Sequence, residues 1–286
     1  MSDLISIVLP VYNGERFLAE SIESILSQTW RDWELIIMDD CSTDSTSCIA
    51  QAFCESDPRV FYYRNETNLR LPENLNRGFE HARGSFLTWT SDDNVYLPQA
   101  LEKMHNRLVE TGRDFVFASC RVMDEDGKDY EYIMVNRSSP KRLVGSNTVG
   151  ACFLYTRRAY EATGKYDPDL RLVEDFDYWQ RMAAIFPPEP MEEILYRYRM
   201  HGSSLTSTMA QDAFQQTLEK MLMKNRPLFE PMDWESRYYY YSGLASCRKA
   251  RKEKDPDVFR FRYYSLMYLL RRRVPDKVRR SLHVGA

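Results

Sequence analysis

Through the first 120 residues, short apolar runs alternate with longer stretches in which apolar positions recur at helical spacing. Residues 4–9 (LISIVL), 34–38 (ELIIM), 59–63 (RVFYY), 86–89 (FLTW) and 115–119 (FVFAS) are compact, largely apolar segments. Their length and apolar content predict strands, with those at 4–9, 34–38 and 86–89 buried. Between them lie Leu18, Ile22, Ile25 and Leu26, then Ile49 and Phe53, then Leu75, Phe79 and Ala82, and finally Leu101, Met104 and Leu108. Each set marks the inner face of a helix. Asn13 is placed to cap the first helix from about residue 15, and Ser42 and Thr43 to cap the second. Pro72 and Pro98 suit the opening turns of the third and fourth. Strands and helices alternating at this spacing predict an α/β fold, a Rossmann-like and mostly parallel sheet with helices on both faces.

After residue 120 the rhythm changes. Asp126-Gly127 is a hairpin signal between two β-rich segments. Residues 152–156 (CFLYT) read as a strand, 157–163 as a short helix, and 194–200 (ILYRYRM) as a strand. A helix from about Asp175 is expected to bury Tyr178, Trp179 and Met182. From about residue 208 the chain reads as helical throughout, with a stripe at Phe259, Tyr263, Leu266 and Leu270. The expected organisation is an α/β domain over residues 1–207 and a helical C-terminal extension over 208–286, packed against that domain or a partner subunit.

Composition narrows the class. A 43% hydrophobic content supports a substantial core, and the net charge of −3 argues against a nucleic-acid partner. No apolar run approaches the length of a membrane span, and Asp3 leads into the first strand without a basic flank, so the expected location is cytoplasmic. The six cysteines form no C-x-x-C pair and read as reduced thiols.

Acidic residues stand where strands end. Asp40 follows the second strand, Asp92 and Asp93 follow the fourth, and Glu174–Asp175 opens a helix. In open α/β sheets the carboxyl ends of the strands form the ligand-binding edge. Adjacent carboxylates repel, so a site that keeps both ionised supplies a cation, and hard divalent ions take oxygen ligands shared with phosphate. Each group also has a plainer reading: a solvated Asx turn for Asp92–Asp93, and helix-terminus acids for Asp40 and Asp175.

Taken together, VLPVYN, IMDDCSTDST, SDDN, VEDFDYW and YRYRMHGSSL closely resemble the inverting family 2 glycosyltransferases with a nucleotide-diphospho-sugar transferase (GT-A type) fold. The resemblance spans roughly the first 210 residues and is especially close to the bacterial spore-coat polysaccharide transferase type. It implies a nucleotide cleft lined by Pro10, Val11 and Tyr12, with Asp40 reading the base, Arg70 contacting base or phosphates, and Asp92 bonding the ribose. A carboxylate at Asp40 would accept the N3–H of uracil or thymine, a donor that cytosine and adenine lack. Asp93 would hold a divalent metal, Mn²⁺ or Mg²⁺, with His201 as a further ligand or donor and Arg199 approaching the diphosphate. Asp175 would be the general base that takes the acceptor's hydroxyl proton, with Glu174 orienting the acceptor or supporting the base. Many relatives carry Gly where Arg70 stands and Arg where Leu75 stands, which leaves phosphate contacts from that loop open.

The expected activity is therefore metal-dependent transfer, with inversion, of a sugar from a UDP- or dTDP-sugar to a hydroxyl of a polysaccharide or lipid-linked acceptor. A nucleotidyltransferase of the same fold would want a Gly-rich, cationic phosphate loop after the first strand, where this chain has only Asn13-Gly14-Glu15-Arg16. A non-catalytic binding module is opposed by the intact set Asp40, Asp93 and Asp175. The basic run from Arg271 to Arg280 suits either a solvated helix end or contact with an anionic membrane surface, and the C-terminal helices are also the expected site of any homodimer contact. The whole reading requires positions 40, 93 and 175 to open onto one cleft.

Overall fold

The computed structural model describes residues 3–134, 140–204 and 211–249. Nine strands among them form one sheet: β1 (Ile5–Val11), β2 (Trp33–Asp39), β3 (Val60–Arg64), β4 (Phe86–Trp89), β5 (Val95–Tyr96), β6 (Phe115–Met123), β7 (Asp129–Met134), β8 (Phe153–Thr156) and β9 (Glu189–Arg199). Their order is β3-β2-β1-β4-β8-β6-β9-β5, with β7 paired to β6. The expected Rossmann-like α/β sheet is present, and its parallel pairing is concentrated in β3-β2-β1-β4. Beyond β4 the sheet is mixed, because β8 runs antiparallel to both β4 and β6 while β9 runs parallel to β6.

Among the described residues eight helices flank the sheet: α1 (Leu18–Leu26), α2 (Thr46–Ser56), α3 (Leu71–His81), α4 (Ala100–Thr111), α5 (Arg157–Thr163), α6 (Glu174–Ile185), α7 (Gln211–Asn225) and α8 (Trp234–Lys249). Alternation along the strands sorts the apolar residues into two cores. Ile5, Ile7, Leu9, Leu35 and Ile37 meet Leu18 and Ile22 of α1 and Leu101 and Met104 of α4. Val8, Ile36 and Met38 face the other way, toward Leu75 and Phe79 of α3 and Trp179 of α6. Met221 and Leu222 of α7 and Tyr240 and Leu244 of α8 belong to this second core, so the C-terminal helices share their apolar face with the α/β domain. The stripe at 259–270 and the basic run at 271–280 lie outside the described residues.

Helix starts differ from expectation, for one physical reason. Asn13 does not cap α1, which begins at Leu18; its side-chain oxygen accepts the Thr43 N–H (2.8 Å), in the loop after β2. Nor do Ser42 and Thr43 cap α2. The Ser42 N–H is held by Asp39 (2.8 Å), and its hydroxyl accepts the Asn13 N–H (2.9 Å). These polar side chains brace the loops after β1 and β2 against each other. Pro98 likewise precedes α4 by two residues, because the short strand β5 pairs with β9 just before it.

β1 connects toward β2 and β3 on one side, while β4 lies on its other side. The carboxyl ends of β1 and β4 are thus the topological switch point, where loops leave in opposite directions and open a crevice. Asn76 of α3 fixes one wall of that region. Its buried amide donates to the Tyr166 carbonyl (3.0 Å) and accepts the Tyr166 N–H (2.8 Å). The Tyr166 hydroxyl in turn accepts from Trp89 Nε1 (2.9 Å). Asn76→Ala leaves two buried backbone groups unpaired and should cost about 2 kcal/mol in urea unfolding; a change below about 0.5 kcal/mol would reject this clamp.

Candidate active site

The loops after β1 and β2 build one wall of the candidate site. Asp39 is structural: it is buried and receives Tyr62 Oη (2.6 Å), Arg64 (3.2 Å) and the Ser42 N–H. Asp40 points the other way and accepts from the Leu69 N–H (2.7 Å), the Arg70 N–H (2.8 Å) and Asn65 Nδ2 (3.0 Å). A carboxylate has about four acceptor positions, so one on Oδ2 stays open toward the cleft. The same bonds hold Arg70 at φ 72°, ψ 163°. That backbone region is essentially reserved for glycine and costs an L-residue on the order of 1–3 kcal/mol. Here the loop tolerates the strain and carries a guanidinium in its place.

Pro10, Val11, Tyr12, Asp40, Arg70, Asp92, Asp93 and His201 line one cavity of about 490 Å³. Tyr12 is 50% exposed, offering a ring face to a flat ligand. Gly14 is required beside Asp92, because a Cβ there would collide with the Asp92 carboxylate. Asp92 is half-buried, and its pKa is pushed up to about 7 by desolvation first and by the neighbouring Asp93 second.

Asp93 Oδ2 lies 2.9 Å from His201 Nε2, and His201 Nδ1 lies 2.8 Å from Ser203 Oγ. Asp93 Oδ1 is buried without a hydrogen-bond partner among the described residues. No three His, Cys, Asp or Glu side chains converge on a metal position among those residues. A carboxylate and an imidazole with one orphaned oxygen nonetheless fit a divalent cation whose remaining ligands come from a phosphorylated substrate and water.

Arg199 departs from expectation. It is 2% exposed, and it donates to the backbone carbonyls of Asp93 (2.9 Å) and Glu125 (3.0 Å) and to the Glu20 carboxylate. Its guanidinium lies 4.6 Å from the centre of the Phe17 ring. It is therefore a strut behind the Asp93 loop.

The third acidic group opens α6. Leu172, two residues upstream, has φ 79°, a conformation a bulky L-residue rarely adopts. The first-turn acids of α6 divide their roles. Asp177 is fully buried and held by Arg181 (2.8 Å) and Asn225 (2.9 Å), so it serves the fold. Asp175 faces a second cavity. Its Oδ1 accepts the Phe176 N–H (2.6 Å) and its Oδ2 accepts from Asn147 Nδ2 (2.8 Å). Desolvation raises its pKa, and these two hydrogen bonds oppose the rise. Glu174 is 5% exposed, with Oε2 unpartnered among the described residues, and burial followed by the Asp175 charge lifts its pKa to about 7.

This second cavity, about 600 Å³, is lined by Trp89, Ser91, Asp93, Asn147, Glu174 and Asp175 among others. The two cavities share Leu71, Ser91, Asp93 and Ser204. Asp40 and Asp93 thus open onto one chamber, and Asp93 and Asp175 onto the adjoining one. Sequence reasoning did not single out Gly14, Asn147 or Arg171, the last being an exposed cation on the wall of the first chamber. The turn-like segment GSNTVG around Asn147 was the available signal for one of them.

Comparison with known proteins identifies the family and the fold. The family model described as glycosyl transferase family 2 matches residues 6–164. The glycosyltransferase EpsE of Bacillus subtilis is 32% identical over 212 residues, covering 68% of this chain and 72% of that protein. TuaG of the same organism, a glycosyltransferase named for teichuronic acid biosynthesis, is 29% identical over 207 residues, covering 71% and 82%. Among solved structures, Staphylococcus aureus TarS 1–349 in complex with UDP-GlcNAc aligns with a TM-score of 0.72 at 14% identity, over 91% of this chain and 79% of that one. The mannosyltransferase PcManGT of Pyrobaculum calidifontis, in complex with GDP-Man and Mn²⁺, aligns with a TM-score of 0.64 at 16% identity, over 93% and 80%. At such identities the structural likeness shows the fold. The family match covers more than half of the chain, and the chain belongs to glycosyl transferase family 2 and is a glycosyltransferase.

Proposed function

We propose that the protein transfers a sugar, with inversion, from a uridine or thymidine diphosphate sugar to a hydroxyl of a polysaccharide or glycolipid, and that it depends on a divalent cation. The observation that carries this reading is the pair of adjoining chambers that meet at Ser91 and Asp93. In the first chamber Tyr12 covers a base, the open acceptor position of Asp40 receives its N3–H, and Asp92 bonds the ribose. Asp93 and His201 would hold the cation, which supplies charge stabilisation to a nucleoside diphosphate leaving group. Arg70 and Arg171 on the same wall add positive charge beside the phosphates. The sugar then spans the junction, with its anomeric carbon directed into the second chamber.

There Asp175 removes the proton of the incoming hydroxyl as its oxygen attacks from the face opposite the diphosphate, and a single displacement of that kind inverts the anomeric centre. A base must be ionised to act. Hydrogen bonds from Asn147 and the Phe176 N–H favour the ionised form of Asp175 against its burial. Glu174, desolvated beside it, keeps its proton to higher pH and so limits repulsion between the two carboxyls. TarS binds UDP-GlcNAc and PcManGT binds GDP-Man, so the base preference of this chain rests on Asp40 alone. Among the described residues no helix is long and apolar enough to cross a membrane.

Thermal shift with UDP, dTDP, GDP and CDP, each with and without Mn²⁺, tests the donor, because ligand binding to the folded state raises its melting temperature. UDP or dTDP should give the largest shift, enhanced by Mn²⁺, and Asp93→Ala should abolish the enhancement. An unchanged Mn²⁺ effect in that variant would remove Asp93 as a metal ligand. Asp175→Asn should keep nucleotide binding and lose transfer by a factor on the order of 10² or more; near-wild-type transfer would remove it as the base.

The carboxyl pair also predicts a pH dependence. Glu174 titrates at about 7 in the fold against 4.5 for an unperturbed side chain, so the folded state binds its proton more tightly. Its contribution to stability is fully present below 4.5 and is lost as pH rises through 7. Glu174→Gln should therefore gain on the wild type in urea midpoint at pH 8 and stand closer to it at pH 4. An equal difference at both pH values would contradict this.

A further inference from the structure

Asn147 reaches Asp175 from a segment that is held in place by the C-terminal helices. The 3-10 turn Pro140–Val144 leads into Gly145, Ser146 and Asn147. Gly145 is buried against α8 with no room for a side chain, since a Cβ there would collide with the Tyr239 carbonyl oxygen. The contact is reciprocal: a Cβ on Gly243 would lie 2.5 Å from the Gly145 carbonyl oxygen. Two glycines therefore let the backbone of α8 touch the backbone of the loop. Lys141 adds ion pairs to Asp233 and, at 3.4 Å, to Glu235 at the start of α8. From the opposite side Gln180 of α6 donates to the carbonyls of Leu143 and Val144, both at 3.0 Å. Asn225, at the end of α7, donates to Gln180 Oε1 (3.1 Å) and to Asp177 (2.9 Å).

The amide of Asn147 has its orientation decided by two contacts. Its Oδ1 accepts the Val149 N–H (3.3 Å), which leaves Nδ2 to donate to Asp175 Oδ2. A flipped amide would face a carboxylate with its own oxygen. The other groups around Asp175 are Glu174 beside it, Tyr166 behind it and Asp93 across the chamber, while Arg171 acts on Glu174. Among the described residues, Asn147 is the one side chain that donates a hydrogen bond to Asp175.

We propose that Asn147 is a positioning residue for Asp175, and that the Gly145–Gly243 contact makes α8 a working part of the active site by setting where Asn147 stands. This rests on Asp175 being the base. It gives the C-terminal helices a task inside the chemistry, distinct from packing or anchoring. Loss of the Asn147 hydrogen bond removes stabilisation of the ionised carboxylate, so the Asp175 midpoint must move up.

The test is a pH titration of carboxyl ¹³C shifts in Asp-labelled protein, with the Asp175 signal assigned by its absence in Asp175→Asn. Asn147 is exposed, so Asn147→Ala is expected to fold as the wild type does, checked by its melting temperature and by UDP binding. The expected result is an Asp175 midpoint raised by about half a unit or more, with Asn147→Ser restoring part of the shift. Gly243→Ala should raise the midpoint too, and should add nothing in the Asn147→Ala background, because it acts through that residue. An unmoved midpoint in Asn147→Ala overturns the proposal. A Gly243→Ala shift of equal size in both backgrounds overturns the role of α8. The Asp175→Asn transfer assay separates the two levels: if that variant still transfers sugar, the base assignment falls and this inference with it. If it is inactive and Asn147→Ala leaves the midpoint unmoved, only the present inference falls.

Discussion

Asp93 Oδ1 and Glu174 Oε2 are carboxylate oxygens buried without a hydrogen-bond partner among the described residues. An ionised oxygen in such surroundings is costly, and the fold has three means of relief: a proton, a cation or a donor. The two acidic pairs of the site divide these among themselves. Glu174 and Asp92 are both driven toward the protonated form, first by burial and then by the neighbouring acid. Asp93 keeps His201 beside it and an oxygen open to a cation, while Asp175 receives hydrogen bonds. In each pair burial and the neighbouring acid drive one carboxyl toward its protonated form, while the other has a hydrogen-bonding partner, His201 for Asp93 and Asn147 for Asp175.

That division depends on a frame assembled from distant segments. The loops after β1 and β2 are tied to each other through Asn13, Ser42 and Thr43, and the Asp93 loop is tied from behind by Arg199. Asp40 holds the loop that carries Arg70 in a backbone conformation it would not adopt alone. Around Asp175 the same logic runs through Gln180, Asn225 and the glycine contact with α8. These are hydrogen bonds and close backbone approaches more than apolar packing, and they fix position to within a fraction of an ångström, as catalysis requires.

The residue order already carried the sheet and its helices. Five strands, the hairpin at Asp126-Gly127 and the apolar faces of α1, α3, α4 and α6 are written in local periodicity. The placement of Asp40, Asp92 and Asp93 at one sheet edge followed from the same pattern, since a residue just past a parallel strand has little choice of where to stand, whereas Glu174–Asp175 opens α6 after a 3-10 turn and is brought to that edge by the fold. Periodicity is local, and so it survives translation into structure.

What it could not decide were the partners. Asn13 and Ser42 look like helix caps in sequence, yet their hydrogen bonds go to residues some 30 positions away. Arg199 and His201 are near neighbours in the chain, but Glu20 of α1 and Phe17 just before it draw the first inward while Asp93 holds the second at the cleft. Asn147 carries no motif, and its loop stands at Asp175 held by the Gly145–Gly243 contact with α8 and by Gln180 of α6. Short-range pattern sets which elements form and which edge gathers the acids. Polar side-chain roles are set by whichever donor or acceptor the folded chain delivers within about 3 Å, and that is decided by tertiary structure.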